Sequence, residues 1–256
     1  MKQYAKSYEL KNKAKDKLGG KYGVAVLVSF LGMLIPGAVR MFANLILSPF
    51  MPSLHDIGNM SSLIPSYIFS ILLSLVLSIV LGLFDVGLAL FFLNVLCGQP
   101  YSSKDLFYGF KNDRNKALTI SGIVALLSAA CLYPYQYMMD YFLLTREEKW
   151  LYFAAIAMVI GLCVYIPISL NLSLVYYLML DFPEKSAGEI LKLSVQIMKG
   201  HKKRLFYIRM SFIPLMLLCV CSLYIGFLWL MPYMYMTEAC FFLDIMNPRE
   251  TENPGV

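Results

Sequence analysis

Long uncharged stretches alternate along this chain with short, Lys-rich ones. Tyr22–Val39, Ile57–Phe84, Ala117–Met139, Trp150–Leu180 and Met210–Thr237 contain no Asp, Glu, Lys or Arg. A helix needs about 20 mostly apolar residues to cross a bilayer, so each stretch is long enough, or nearly so, to span one. The pattern predicts an all-α, polytopic transmembrane helical bundle. Six spans fit it, near 22–47, 63–97, 115–139, 150–180, 205–223 and 226–246. The last two share a compact segment, so five spans with an outer C-terminus is the alternative. A basic helix (1–21) precedes the first span and a polar tail (247–256) follows the last, all within one integral membrane domain, 1–256. The basic region runs to Lys21 and no small-residue cleavage site follows, so 22–47 is expected to be a retained span rather than a signal peptide.

The Lys and Arg bias gives the orientation. Residues 1–21 hold Lys2, Lys6, Lys11, Lys13, Lys15, Lys17 and Lys21, and the segments 98–116 and 181–209 are also basic. The loop 48–62 has no Lys or Arg, and 140–149 has only Arg146 and Lys149. The positive-inside rule then puts the N-terminus and both basic loops in the cytoplasm. Arg40, near the outer end of span one, is expected to snorkel to the headgroups. Pro49, Pro52 and Pro65 suit an irregular outer loop. Trp150–Leu180 is longer than one crossing needs, and Pro167 is its expected kink.

Composition narrows the function. Hydrophobic residues are 59% of the chain and charged residues 15%, against about 25% charged in a soluble domain. No polar stretch is long enough for a second soluble domain. The net charge of +6 sits beside apolar spans, which points to a bilayer with anionic headgroups and not to nucleic acid. The six cysteines lie in or beside apolar segments with no C-x-x-C spacing, so they read as small apolar filler without disulfide or metal.

The chain also resembles itself. Gly87-Leu-Ala-Leu-Phe-Phe-Leu parallels Asn171-Leu-Ser-Leu-Val-Tyr-Tyr, and Ser102-Ser-Lys-Asp105 parallels Ser186-Ala-Gly-Glu189. Both S-x-x-[DE] tetrads are capping-box signatures. Glu9–Gly20 lines up with Glu189–Gly200, and Pro232–Leu243 with Pro167–Leu178. The expected unit is an interfacial helix, a span out and a span back; a threefold repeat of it would run about an axis along the membrane normal, and shared composition is the alternative source of the matches. Ile190, Leu193, Ile197 and Met198 give the helix near 189–199 an apolar face opposite Lys192 and Lys199, suited to the inner leaflet or to the bundle ends.

Asp85, inside span two between Gly82 and Gly87, is the sharpest candidate for chemistry. A carboxylate there must face the bundle, pair or carry a proton. The functional reading is a proton or cation relay; the structural one is a helix–helix hydrogen bond or a water-filled break. Glu238 is the second candidate intramembrane polar residue and joins Asp85 if the bundle brings them together. Asp244 is expected near the interface, solvated. Lys192, Lys199, His201, Lys202, Lys203 and Arg204 form the candidate cytoplasmic basic, lipid-facing patch. His55 and His201 fall on opposite sides of the membrane, so they make no shared metal site. No metalloprotease H-E-x-x-H, Walker loop, G-x-S-x-G or G-x-G-x-x-G occurs, so neither an enzyme nor a cofactor is expected.

Several segments carry a family resemblance. They are Lys15-Asp-Lys-Leu-Gly-Gly-Lys-Tyr-Gly23, Asp85-Val-Gly-Leu, Asp105-Leu-Phe-Tyr-Gly-Phe110, Met198-Lys-Gly-His201, Arg204-Leu-Phe, Ser211-Phe-Ile and Trp229-Leu-Met-Pro-Tyr233 with Thr237. Together they resemble the bacterial membrane proteins grouped as "domain of unknown function 975". Tyr165-Ile-Pro-Ile departs from the I-P-G-I of that family. The resemblance implies a multi-pass protein of the bacterial cytoplasmic membrane and no activity. The leading expectation is therefore a non-enzymatic module that binds a membrane protein partner or lipid. The alternative is a small transporter or channel that uses Asp85.

Overall fold

Backbone in hydrocarbon must satisfy its own hydrogen bonds, so the apolar runs fold as helices. The computed structural model describes residues 2–47 and 60–250. The expected outer loop, 48–62 with Pro49, Pro52 and His55, lies outside the described residues at 48–59, as does the tail beyond 250; Pro65, expected with that loop, instead lies in the helix that begins at Met60. The helices are α1 (Ser7–Leu18), α2 (Tyr22–Leu47), α3 (Met60–Leu81), α4 (Leu83–Cys97), α5 (Tyr108–Lys111) and α6 (Arg114–Thr145). They continue as α7 (Glu148–Asn171), α8 (Val175–Asp181), α9 (Ala187–Ile197), α10 (Lys202–Met210), α11 (Ile213–Cys221) and α12 (Phe227–Met246). A 3-10 turn, Ser103–Phe107, precedes α5. Two-residue strands, β1 (Lys2–Gln3) and β2 (Arg249–Glu250), pair antiparallel and bring the two chain ends together.

Among the described residues, five helical runs are long and apolar enough to cross a membrane: Tyr22–Ile46, Ile68–Cys97, Arg114–Leu143, Glu148–Asp181 and Lys202–Cys221. Their outward faces are apolar; Met33, Leu45, Leu72, Ile160 and Leu218 are all exposed. A belt this extensive needs lipid, since a soluble monomer rarely exposes apolar patches beyond a few hundred Å². The last expected span, α12, has 20 residues but carries Glu238 and Asp244. Most of its second half is buried, so its surroundings are protein.

The centre is built from the return helices α4, α8 and α12. Phe92 stacks on Tyr235 at 5.4 Å and Tyr177 on Phe242 at 5.3 Å. The short amphipathic helices dock on these three: α1 on α12, the 3-10 turn and α5 on α4, and α9 on α8. Leu10, Ala14 and Leu18 of α1 are buried at the same four-residue spacing as Ile190, Ser194 and Met198. Both expected capping boxes form, Ser102 with Asp105 and Ser186 with Glu189. A left-handed residue then turns the chain into the next helix: Gly20 (φ 72°), Asp113 (φ 49°) and Gly200 (φ 89°).

The helical run through Pro167 is unbroken to Asn171, and the interruption comes later, at Leu172–Leu174. There the Ser194 hydroxyl donates to the Asn171 carbonyl at 2.6 Å and the Ser173 hydroxyl to the Leu170 carbonyl. Side-chain donors thus take acceptors that the helix would use.

Glycine sets how closely α4 packs. A Cβ on Gly87 would lie 2.1 Å from the Leu106 carbonyl oxygen, whereas one on Gly37 would meet nothing within 4 Å. Gly87→Ala should destabilise the protein by about 1–3 kcal/mol or more, as overpacking against backbone does. Gly37→Ala, mid-helix and exposed, should be neutral or stabilising by up to ~1 kcal/mol. Thermal unfolding in detergent checks both, and equal effects would contradict the packing described.

Candidate functional site

The helical run from α3 into α4 is interrupted at Gly82, and Asp85 lies in the first turn after it. A Cβ on Gly82 would lie 2.7 Å from the Ser121 hydroxyl of α6, so the missing side chain lets the two helices approach. The Asp85 side chain is exposed, yet the space it meets is inside the bundle: it lines two cavities among the spans. The first, about 600 Å³, is lined by residues of α2, α3, α4, α6 and α7, with Tyr176 of α8. Its polar groups include Arg40, Asn44, Ser78, Ser128 and Gln136. From Ser121 to Gln136 it follows α6 for roughly 22 Å at ~1.5 Å per residue. The second, about 530 Å³, is reached by Tyr165, Ser169, Ser173 and Tyr177 and by Arg209 and Glu238.

Asp85, Val124, Ser128, Tyr165 and Tyr176 line both cavities. The wall between them is thus a carboxyl group flanked by three hydroxyls and one apolar side chain. Tyr176 is also within 3.5 Å of the Ser121 hydroxyl. Asp85 and Glu238, the two acidic residues expected in the membrane, therefore reach one cavity. Glu238 is not free there: Arg209 Nε donates to its Oε1 at 3.0 Å.

Two arginines also line these cavities. Arg40 is exposed; its guanidinium donates to Ser78 at 3.5 Å and lines the first cavity with Asp85. Arg209, within both the basic segment 181–209 and the span expected near 205–223, lies two turns into α10 and lines the second. In both cases the polar interior offers hydrogen-bond acceptors that lipid does not.

At the chain-end side of the bundle, Asp244 is buried and paired, not solvated. It accepts from the Ala5 amide at 3.2 Å and from Arg204, which also donates to the Ala5 carbonyl at 2.7 Å. The Arg204 guanidinium lies 5.5 Å from the Tyr4 ring and 5.1 Å from Phe241. One nitrogen of Arg204 is therefore taken up by protein acceptors where the N-terminal segment folds over it. Of the remaining patch, Lys192, Lys199 and Lys203 are exposed, while His201 and Lys202 are half-buried.

His201 meets Tyr4 edge-on at 4.6 Å. Burial first, then the Arg204 charge, lower its pKa below the usual 6.5, against an opposing pull from Asp244. The unfolded chain then takes up the proton at higher pH than the folded one. Stability should fall as pH drops below about 6.5, until the lowered folded value is passed. His201→Gln should flatten that fall in unfolding temperatures between about pH 7.5 and 5.5; an unchanged slope would contradict it.

Among the described residues, no three His, Cys, Asp or Glu side chains are grouped to hold a metal. Cys219 and Cys240 are buried, and all six cysteines are free thiols. The family model that matches the chain is described as "Protein of unknown function (DUF975)" and covers residues 1–249. No curated protein and no solved structure matches.

Proposed function

The chain belongs to the DUF975 family, and from that premise we propose that it is a small transporter in which Asp85 relays protons between two polar cavities. The observation that carries this is Asp85 on the wall common to both cavities. A scaffold held together by apolar packing has no need of a carboxyl group there, and a charge inside the membrane is costly. At ~30 Å³ per water, a cavity of about 600 Å³ has room for on the order of 20 waters. Those waters and the shared Ser128, Tyr165 and Tyr176 hydroxyls supply donors and acceptors on either side of the carboxyl.

Arg40 favours a proton over a metal cation. A fixed guanidinium in the same cavity repels any permanent cation that enters. A proton forms a covalent O–H bond with the Asp85 carboxylate, a gain against that repulsion that a monovalent metal cation lacks. Arg209 neutralises Glu238 at the far cavity and leaves Asp85 as the acid that exchanges.

The proposed setting is a bacterial cytoplasmic membrane with the N-terminus inside, following the Lys and Arg bias. Pairing of Lys2–Gln3 with Arg249–Glu250 supports an even number of crossings, six with α12 included. A second reading, a non-enzymatic module that binds a membrane partner or anionic lipid, draws on the exposed Lys192, Lys199 and Lys203.

Water access to the wall tests the transporter reading. In a chain whose native cysteines are replaced, Ser128→Cys should react with a charged, membrane-impermeant thiosulfonate. Leu72→Cys, on the outward apolar face, should not. Equal inertness at both positions would mean dry cavities and would overturn the reading.

A further inference from the structure

A groove of about 630 Å³ lies between the N-terminal segment, the start of α1 and α10, apart from the Asp85 cavities. Its lining brings together Lys6, Lys11 and Arg204, with Tyr8, Tyr207 and Ser211, and includes no carboxylate. The positive charge is only partly answered. Asp244 and the Ala5 carbonyl take one nitrogen of Arg204, while its Nε and Nη1 are buried with no acceptor among the described residues. Lys11 Nζ lies 4.0 Å over the Phe212 ring and, among the described residues, donates to a neutral carbonyl, that of Ser211, at 3.2 Å. Burial and the nearby Lys15 lower its pKa, as expected where cations lack a counter-charge. The N-cap of α1, Lys6, supplies no side-chain cap, so the positive end of that helix adds to the same field.

The rim indicates what kind of anion fits. Tyr8 and Tyr207 are exposed beside the groove, in the amphipathic role that tyrosine plays at headgroup level. Beyond them the exposed face of α10 and α11 is apolar, through Phe206, Met210, Ile213 and Leu217. A ligand that fills the groove and continues along this face has an anionic head and a hydrocarbon tail. We propose that the groove is a discrete binding site for the phosphate of an anionic phospholipid, held by Lys6, Lys11 and Arg204. It is separate from the proton reading and from diffuse attraction to the exposed lysines of α9 and α10.

The test is thermal unfolding of the full chain in maltoside micelles doped with phosphatidylglycerol or phosphatidylcholine. Phosphatidylglycerol should raise the unfolding temperature at lower mole fraction than phosphatidylcholine. Lys6→Gln with Lys11→Gln should shift the phosphatidylglycerol midpoint by about tenfold or more. Lys192→Gln with Lys203→Gln should leave it within about twofold. Because Lys11 packs on Phe212, Lys6→Glu alone serves as a second variant and should shift it by about threefold or more. Equal shifts for the groove and control pairs, or none for any groove variant, would overturn the site. Equal stabilisation by millimolar inorganic phosphate without lipid would show a free-phosphate site and overturn the lipid assignment.

Discussion

Asp85→Asn should abolish proton flux through the reconstituted protein, by about a hundredfold or more, the scale on which general acid–base groups act. Asparagine keeps the shape and most of the hydrogen bonding of the carboxyl but cannot take up and release a proton. The fold should survive, because the change removes a charge from the membrane interior and leaves the wall of both cavities intact. Asp85→Glu keeps the titrating group and should retain part of the flux. The check is the rate of internal acidification in liposomes loaded with a pH-sensitive dye, at matched protein content. Wild-type rates in Asp85→Asn would make the residue structural.

Arg204→Ala should destabilise the protein by about 3–5 kcal/mol, the range for removing one partner of a buried ion pair. Asp244 has a side chain only 8% exposed and loses its charged partner in this variant. The same change frees the Ala5 carbonyl and removes the cation between Tyr4 and Phe241. The N-terminal segment, α10 and α12 are tied at this point, so the loss should be felt in all three. Arg204→Ala combined with Asp244→Ala should be much milder than the sum of the single changes, since no charge is left unpaired. Denaturation of the four proteins in one detergent gives the coupling energy. Additive effects would mean that the pair contributes nothing beyond its parts.

The helices were legible because hydrocarbon demands long apolar runs, and the capping boxes because Ser102–Asp105 and Ser186–Glu189 are local signals. Arg40, Arg209 and Asp244 were not. Sequence gives a residue's depth along a helix but, in a chain apolar on every face, not the direction in which it points. Depth alone places Arg40 near the outer end of α2; that it meets Ser78 and the first cavity follows from packing. Arg209 closes the basic segment 181–209 yet falls within the span near 205–223, and only packing turns it to the second cavity. Asp244 lies near a helix end, where water is the ordinary partner. Its actual partners are Ala5 and Arg204, some 240 and 40 residues distant in the chain. Glu238 meeting the cavity of Asp85 was conditional on packing that no local pattern encodes.

The most direct measurement is the internal pH of liposomes carrying the wild-type chain, with a potassium diffusion potential set by valinomycin. An inside-negative potential should acidify the lumen faster than in protein-free liposomes, and reversing the potential should reverse the sign. Traces that match protein-free liposomes at both polarities would contradict a proton pathway through Asp85.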